Sequence, residues 1–270
     1  MTTRLRPLLA PVVRLLLLLL VAVLALQLYF VARIALMAVI APESTAFERS
    51  EIYRVTRTSG SLKWRQQWVP SAQISVNLQR AVIASEDASF TEHDGLDLEA
   101  LEKAWEKNSV AEARAKKAAD RLAAQAARQG KKVSAPAAQL TAKAAKPAKI
   151  IGGSTITQQL AKNLFLSGER TLLRKGEELV LTLLLESMLS KQRILEIYLN
   201  SVEWGEGVFG AEAASQHYFR KPASRLSPYE AARLAVMLPR PRYFETRPNS
   251  DYLATRANVI VARMGGVDVP

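Results

Sequence analysis

The apolar segment near the N-terminus constrains the fold of this chain more than any other feature. Residues 15–32 form an uncharged run of eighteen positions. In a helix this run rises roughly 27 Å, about the thickness of the hydrocarbon layer of a bilayer. Arg33 interrupts it, but residues 34–41 are apolar again, and a long arginine side chain can reach toward the membrane surface. The sequence therefore predicts a transmembrane anchor over residues 15–41, after a tail over residues 1–14.

The charges on either side of this segment predict its orientation. Arg4, Arg6 and Arg14 precede the apolar run. Glu43 and Glu48 follow it. Because basic flanks stay on the cytoplasmic side, the tail is expected in the cytoplasm and the rest of the chain outside. A cleaved signal peptide is the alternative. The length of the run and the lack of a clear small-x-small cleavage site favour the anchor.

The remaining residues, 42–270, are enough for one folded domain, and 49% of the 270 residues are hydrophobic. The chain contains no cysteine, which excludes a disulfide framework, a thiol nucleophile and a cysteine zinc site. Its two histidines, His93 and His217, are far apart in sequence, so a histidine-rich metal site is not expected.

The positive charge of the chain is concentrated in one segment. The net charge is +12, and residues 103–149 hold twelve Lys or Arg against three acids, which is +9 of that total. The charge therefore does not indicate a nucleic-acid partner, and none is expected. Residues 110–149 have almost no large apolar side chain, which predicts a mobile basic insertion. Residues 111–128 could be helical on propensity alone.

Helical patterns dominate the rest of the domain, so the fold class is predicted to be mainly α. A helix is expected to begin near Leu78, and a long apolar helix covers residues 172–199 with a break near Ser190. Shorter helices are expected over residues 211–214 and 229–237. Two weak strand candidates are residues 52–58 and 67–69.

The first motif covers residues 86–95, which are EDASFTEHDG. On a continuous helix, Glu86, Phe90 and His93 share one face. A carboxyl group beside an aromatic ring can have a raised pKa and act as a general base. Paired acids at a helix end are also common as solvated groups, and this motif alone does not separate the two interpretations.

The second motif covers residues 152–163, which are GGSTITQQLAKN. Thr155 and Gln158 match a capping box at the start of a helix. The polar face contains no acid, and free N–H groups at the helix start suit a phosphate or a sugar. A solvated helix face is the alternative. The polar side chains form two rows, Ser154, Gln158 and Lys162 beside Thr155, Gln159 and Asn163.

The third motif is basic and ends in an acid. Arg174 and Lys175 precede Glu178, and Arg174 is four residues before Glu178, the spacing of a helical ion pair. Glu178, Thr182 and Glu186 form a polar stripe on an otherwise apolar helix. Carboxylates in such a setting are expected to face a cleft or a buried partner.

The fourth motif covers residues 191–200, which are KQRILEIYLN. Gly205, Gly207 and Gly210 follow it, which indicates a tight turn or a close approach of the backbone. On physical grounds this block is structural.

Together the four motifs resemble those of the peptidoglycan glycosyltransferases, in the penicillin-binding-protein glycosyltransferase family. The family patterns are E-D-x-x-F-x-x-H-x-G, G-x-S-T-I-T-Q-Q-x-x-K-N, R-K-x-x-E and K-x-x-I-L-E-x-Y-L-N. All four stand unbroken here, in order, between Glu86 and Asn200. Because the chain ends at Pro270, it is similar to the monofunctional biosynthetic form. The insertion between the first two motifs is longer than the family pattern.

The resemblance implies a lysozyme-like helical domain on the outer, periplasmic face of the bacterial inner membrane. It also implies the substrate, lipid II, and the reaction. The 4-hydroxyl of the acceptor N-acetylglucosamine attacks the anomeric carbon of the donor N-acetylmuramic acid, undecaprenyl pyrophosphate leaves, and a β-1,4 link forms with inversion. The expected partners are lipid II, the nascent glycan strand and the cytoplasmic membrane, with other wall-synthesis proteins as further candidates.

The resemblance also assigns roles to the motif residues. Glu86 is the expected general base. Glu178 is the second catalytic acid, which positions the leaving group directly or through a divalent cation such as Mg²⁺ or Mn²⁺. No ligand cluster in the sequence demands that metal, and none is assigned. Asp87 and His93 are expected to shape the site. The remaining residues are expected to bind substrate: Lys162, Arg170, Arg174 and Lys175 at the pyrophosphate, and Ser154, Thr155, Gln158, Gln159 and Asn163 along the sugar and phosphate path.

Two other functions stay open at this point. A lysozyme-like hydrolase would use Glu86 and a second carboxylate to attack finished glycan with water. The acid-poor, basic second motif argues against this, because a glycan donor releases no pyrophosphate. A non-catalytic scaffold of wall synthesis is the other alternative, and the intact acids Glu86 and Glu178 argue against it.

Overall fold

The computed structural model describes residues 6–60, 63–128, 153–166 and 171–270. The chain divides into two compact units. The first unit combines residues 1–95 with residues 155–270, and the second unit is residues 96–154.

Helices make up most of the described structure, which confirms the mainly α fold class. The predicted break near Ser190 is present, because one helix ends at Met188 and the next begins at Lys191. The helices are α1 (Arg6–Met37), α2 (Ala46–Ser59), α3 (Val76–Glu86), α4 (Leu98–Arg128), α5 (Ile156–Phe165), α6 (Leu172–Met188), α7 (Lys191–Ser201), α8 (Ala211–Phe219), α9 (Pro228–Met237), α10 (Pro241–Glu245) and α11 (Asp251–Arg263).

Most of these helices begin at a residue that caps the free backbone N–H groups of the first turn. A serine or threonine side chain accepts a hydrogen bond from a backbone N–H two or three residues later. The sequence therefore specifies where each of these helices starts. The capping residues are Thr45, Ser75, Thr155, Thr171, Ser190, Ser227 and Ser250.

The core of the first unit is built where α3 packs on α9 and α9 packs on α11. Leu78 and Val82 on α3 are fully buried, as are Ala231 and Leu234 on α9. Such alanines let neighbouring helix backbones approach closely. The α3 helix, which carries the first motif at its C-terminal end, is therefore held by the best-packed part of the unit.

The N-terminal helix is exposed along most of its length but is buried on one face near its C-terminal end. In the described part of the chain one segment, Ala10–Met37, is long and apolar enough to cross a membrane, as the sequence predicts. Its helix ends at Met37, four residues before the predicted end of the anchor. Phe30, Ile34 and Met37 share one face and are buried in the core of the unit, and the Phe30 ring meets the Phe165 ring edge-on at 5.2 Å.

A small sheet lies beside the helices, formed by β1 (Arg65–Gln66), β2 (Glu203–Gly205) and β3 (Val208–Phe209). The central strand β3 pairs parallel to β1 and antiparallel to β2. Gly207 has φ +70°, and a Cβ there would lie 2.0 Å from the Lys63 carbonyl oxygen. The predicted close backbone approach at this glycine is therefore confirmed.

Both strand predictions were wrong. Residues 52–58 belong to α2, because Thr45 and Glu48 form a capping box and Glu51 and Val55 turn to the buried side at helical spacing. The β-branched residues of this segment were given too much weight. Residues 67–69 lie just after the two-residue strand β1.

The second unit is dominated by α4, a helix of 31 residues. The first turn of α4 lies close to Gly153 near the C-terminal end of this unit, since a Cβ on Gly153 would be 3.2 Å from the Leu101 Cα. Trp105 is exposed. The segment predicted to be a basic insertion is thus helical as far as Arg128, and residues 129–152 lie outside the described residues.

Candidate active site

The first motif leaves its helix one residue after Glu86. The expectation that Glu86, Phe90 and His93 share one helical face was wrong, because α3 ends at Glu86 and the following residues form turns. Phe90 belongs to this loop, and its side chain is fully buried. Its ring is nearly perpendicular to the His93 ring, with centroids 6.5 Å apart. Glu86 is therefore the last helical residue before an irregular, packed loop.

Asp87 ties this loop to the second motif. Its Oδ1 lies 2.9 Å from His93 Nε2, and its Oδ2 accepts a 2.9 Å hydrogen bond from the backbone N–H of Ile156. Ile156 is the first residue of α5, so the buried carboxylate of Asp87 sits at the positive end of that helix. These contacts fix the first motif against the second.

The contacts of His93 define its tautomer. The Gly95 backbone N–H donates to Nδ1 at 3.1 Å, so Nε2 carries the hydrogen that faces Asp87. Burial lowers the pKa of His93, but the hydrogen bond and charge of Asp87 outweigh it and leave the pKa raised. Both ring nitrogens of His93 are therefore engaged within the loop and with Asp87.

Thr155 and Gly95 complete the junction between the two motifs. Thr155 and Gln158 form the predicted capping box, and the Thr155 hydroxyl also donates to the Gly95 carbonyl oxygen at 2.8 Å. Gly95 has φ +85°, and a Cβ there would lie 2.7 Å from Thr182 Cγ2 and 2.8 Å from Glu186 Cγ. Only glycine fits this position without displacing α6 side chains.

Glu86 is half-buried and receives hydrogen bonds from neutral groups. Gln159 Nε2 donates to Oε2 at 3.1 Å, and Ser85 Oγ donates to Oε1 at 3.4 Å. Burial raises the pKa of Glu86 above its ordinary value, and the charge of Asp87 raises it further, while these two hydrogen bonds partly oppose the shift. The sequence left this motif open between a base with a raised pKa and a solvated acid, and burial is the main cause of the shift that the structure shows.

Glu178 lies in a different electrostatic setting on α6. It is buried, Arg174 Nη1 donates to its Oε2 at 3.0 Å, and Lys175 Nζ contacts its Oε1. The helical ion pair predicted from the spacing of Arg174 and Glu178 is therefore present. Along the polar stripe, Glu178 and Thr182 are buried, and Glu186 is half-buried and paired with Lys191.

Sequence reasoning missed three residues that hold this region together, Lys191, Thr157 and Tyr198. Lys191 contacts the His93 carbonyl oxygen and donates to Glu186 at 2.9 Å. The carboxylate of Glu186 also accepts from the Thr157 hydroxyl at 2.5 Å. Tyr198 donates to Gln159 Oε1 at 2.9 Å. The signal for Tyr198 was its place on the apolar face of α7, where a buried hydroxyl needs a partner.

The other candidate substrate-binding residues differ in their exposure to solvent. Lys162 is exposed on α5, and Gln158 and Asn163 on the same helix are half-buried. Ser154 is exposed and belongs to the second unit. Arg170 lies outside the described residues. The structure thus pairs Glu86 with Gln159. It ties Asp87, His93 and Thr155 together at the junction of the first two motifs, and it groups Arg174, Lys175 and Glu178 in a separate cluster.

The mainly helical domain carries a desolvated carboxyl group, Glu86, and a separate carboxylate, Glu178, that is paired with basic residues. This arrangement is compatible with an enzyme that uses acid–base chemistry on a polar substrate. Comparison with known proteins gives the particular family. The family model described as Transglycosylase matches residues 53–144 and 129–265. The chain belongs to the transglycosylase family.

Similar proteins cover nearly the whole chain. A protein named biosynthetic peptidoglycan transglycosylase from Burkholderia thailandensis is 51% identical over 247 residues, which is 92% of this chain and 83% of the relative. Proteins of the same name from Burkholderia orbicola and Burkholderia pseudomallei are 48% and 49% identical over 247 residues, which is 92% of this chain and 86% and 83% of those relatives.

Proposed function

We propose that this transglycosylase polymerises lipid II into the glycan strands of peptidoglycan by inverting glycosyl transfer. The family and the names of its relatives support a peptidoglycan glycosyltransferase. The observation that carries the chemistry is the Glu86 carboxyl group. Its raised pKa suits it to accept a proton, and a hydrogen bond from Gln159 holds it in place.

In the proposed reaction Glu86 removes the proton of the acceptor 4-hydroxyl as that oxygen bonds to the anomeric carbon of the donor. The bond from this carbon to the pyrophosphate oxygen breaks on the opposite face, which inverts the configuration. The bonding electrons leave with the lipid pyrophosphate. The proton stays on Glu86 and returns to solvent after product release.

The leaving pyrophosphate needs positive charge more than it needs a proton. Lys162, Arg170, Arg174 and Lys175 are the proposed sources. Arg174 and Lys175 both contact Glu178, so we assign Glu178 the role of aligning these two cations. A divalent cation such as Mg²⁺ would have to share the Glu178 carboxylate with these two cations, which engage one oxygen each. The proposed charge neutralisation therefore involves side chains, with no step assigned to a metal.

The remaining motif residues are proposed to guide the substrate. Ser154, Thr155, Gln158, Gln159 and Asn163 supply uncharged hydrogen-bonding groups near the start of α5. Asp87 and His93 are already engaged with the loop and with the backbone of α5, which supports a shaping role for both.

The proposed location follows from the substrate and the N-terminal helix. Lipid II is membrane-bound, and the helix over Ala10–Met37 is long enough to hold the enzyme beside it. The basic residues before the helix and the acids after it favour the bacterial inner membrane with the catalytic domain on the periplasmic side. The nascent strand and other wall-synthesis proteins are the further partners proposed.

One experiment tests the proposed function directly. The full chain is purified in detergent and incubated with labelled lipid II, and in parallel with finished wall glycan. The expected result is glycan polymer from lipid II that a muramidase digests, with no release of fragments from the finished glycan. Hydrolysis of finished glycan without polymerisation would favour the lysozyme-like alternative and contradict the proposal.

A further inference from the structure

Three elements of the first unit meet at the Gln159 side chain. Gln159 lies on α5, Glu86 ends α3, and Tyr198 lies on α7. Gln159 Nε2 donates to Glu86 Oε2 at 3.1 Å, and Gln159 Oε1 accepts from the Tyr198 hydroxyl at 2.9 Å. The amide thus connects a half-buried carboxyl group to a phenol that is 1% exposed.

The orientation of this amide depends on the charge of Glu86. In the observed orientation the NH₂ group faces the carboxylate, which favours its ionised form. If the amide turned over, Gln159 Oε1 would face Glu86 Oε2. Two acceptor oxygens tolerate that contact only when Glu86 is protonated. A group that holds the amide in the observed orientation therefore helps to keep Glu86 ionised.

Tyr198 is well placed to hold it. Its ring is packed among buried residues of α7, including Ile194 and Leu195, so its hydroxyl has little freedom to move. Burial, followed by the charges of Glu86 and Asp87, raises the pKa of Tyr198 well above its ordinary value. The phenol therefore stays protonated over the working range of pH and serves as a donor to Gln159.

We propose that Tyr198 is a positioning residue for the general base. Its hydroxyl fixes the Gln159 amide so that the NH₂ group donates to Glu86, and this keeps the base ionised at neutral pH. The inference rests on the proposed function, in which Glu86 accepts the proton of the acceptor hydroxyl. It adds a role for the fourth motif, which on sequence grounds was structural.

The test is the pH dependence of lipid II polymerisation by Tyr198→Phe. As the pH is lowered, this variant should lose activity at a higher pH than the unchanged protein does. The acid limb should be displaced by about 0.5–1 pH unit, which is the size expected when a hydrogen bond to a charged group weakens. On the alkaline plateau kcat should return to within about twofold of the unchanged protein, and KM should stay the same.

Two further variants separate positioning from a general loss of packing. Tyr218→Phe removes the hydroxyl of another tyrosine, which donates to the Trp204 carbonyl oxygen at 2.7 Å, and it should leave the acid limb unchanged. Gln159→Leu removes the donor to Glu86 outright. Adding Tyr198→Phe to Gln159→Leu should displace the acid limb no further, because the two residues act through one contact.

The ionisation of Glu86 can also be followed without turnover. Carbon NMR of the full chain labelled at the glutamate carboxyls, with Glu86→Gln to assign the signal, should show a higher pKa for Glu86 in Tyr198→Phe. An identical pKa and acid limb in Tyr198→Phe and the unchanged protein would overturn the inference. A protein that never polymerises lipid II would overturn the proposed function instead, and the NMR titration would still decide the role of Tyr198.

Discussion

Glu86 and Glu178 are both largely withdrawn from solvent, but they have opposite neighbours. Glu86 accepts hydrogen bonds from the neutral side chains of Gln159 and Ser85. Glu178 is paired with two cations, Arg174 and Lys175. The first carboxyl group keeps a proton affinity raised by burial, and the second is neutralised by its partners.

The difference indicates how one domain can assign different tasks to two carboxyl groups. A base must be able to take a proton near neutral pH, which the desolvated site of Glu86 favours. A carboxylate that holds two cations instead orders positive charge, which suits the pyrophosphate role proposed for Arg174 and Lys175.

Replacing Glu86 by glutamine should have the largest effect. The change keeps the shape and the hydrogen-bonding capacity of the side chain but removes the base, so polymerisation should slow by about 10²–10⁴-fold. Initial rates with labelled lipid II measure this loss. A variant that retains activity within a few-fold of the unchanged protein would show that Glu86 is not the base.

The stability of Glu86→Gln provides its control. Because the pKa of Glu86 is raised in the folded protein, ionising it at neutral pH costs stability, and the amide avoids that cost. The melting temperature of the variant should therefore equal or exceed that of the unchanged protein at pH 7–8. Carboxyl protonation should remove the advantage as the pH falls from the raised pKa of Glu86 in the folded protein to the ordinary pKa of the unfolded chain. A lower melting temperature at pH 7–8 would contradict this account of Glu86.

Replacing Glu178 by glutamine should have the next largest effect and the opposite effect on stability. Arg174 and Lys175 would lose their shared counter-ion, so polymerisation should slow on the order of 10–100-fold. Arg174 and Lys175 would also lose the negative charge that their contacts with the buried Glu178 provide. This loss should lower the free energy of unfolding by about 1–3 kcal/mol. Thermal unfolding beside Glu86→Gln measures the contrast. Equal effects of the two variants on stability would refute it.

Removing a single cation should have a smaller effect. Lys162→Ala and Arg170→Ala should each slow polymerisation by about 10-fold with folding preserved, because one proposed source of charge at the pyrophosphate is lost. Arg225→Ala is the matched control, since Arg225 is an exposed cation of the same unit outside all four motifs. Unchanged rates in a folded Lys162→Ala protein would mean that this lysine only solvates its helix.

Shortening the basic insertion should have the smallest effect. Leu101 lies beside Gly153, and about 12 Å of helix separates Leu101 from Ser109, so a Gly/Ser linker of about eight residues can replace residues 110–146. Melting temperature and basal polymerisation should stay nearly the same. Weaker and less salt-sensitive binding to anionic liposomes would assign the insertion a membrane contact. Failure of the shortened protein to fold would show that the insertion supports the domain.

Local features of the fold and site were predictable from the sequence, whereas long-range contacts were not. The capping box of Thr155 and Gln158, the ion pair of Arg174 and Glu178, and the helix break at Ser190 depend on residues within four positions of each other. Such spacing is visible in one sequence.

The residue at which α3 ends and the contacts around Glu86 could not be predicted from local spacing. Asp87 leaves the helix to reach Ile156, which is 69 residues away, and Lys191 reaches His93 across 98 residues. Tyr198 contacts Gln159 across 39 residues. No local pattern encodes these pairings, and they connect a motif that was considered structural to Glu86 through Gln159.

The pH dependence of kcat/KM for lipid II, measured for the unchanged protein, Glu86→Gln and Glu178→Gln, tests the central claim most directly. The unchanged protein should lose activity as the pH falls through the raised pKa of Glu86. Glu178→Gln should be slower but keep this acid limb at the same pH, whereas the residual activity of Glu86→Gln should no longer show it. An acid limb that persists in Glu86→Gln, or that disappears in Glu178→Gln, would contradict the assignment of Glu86 as the base.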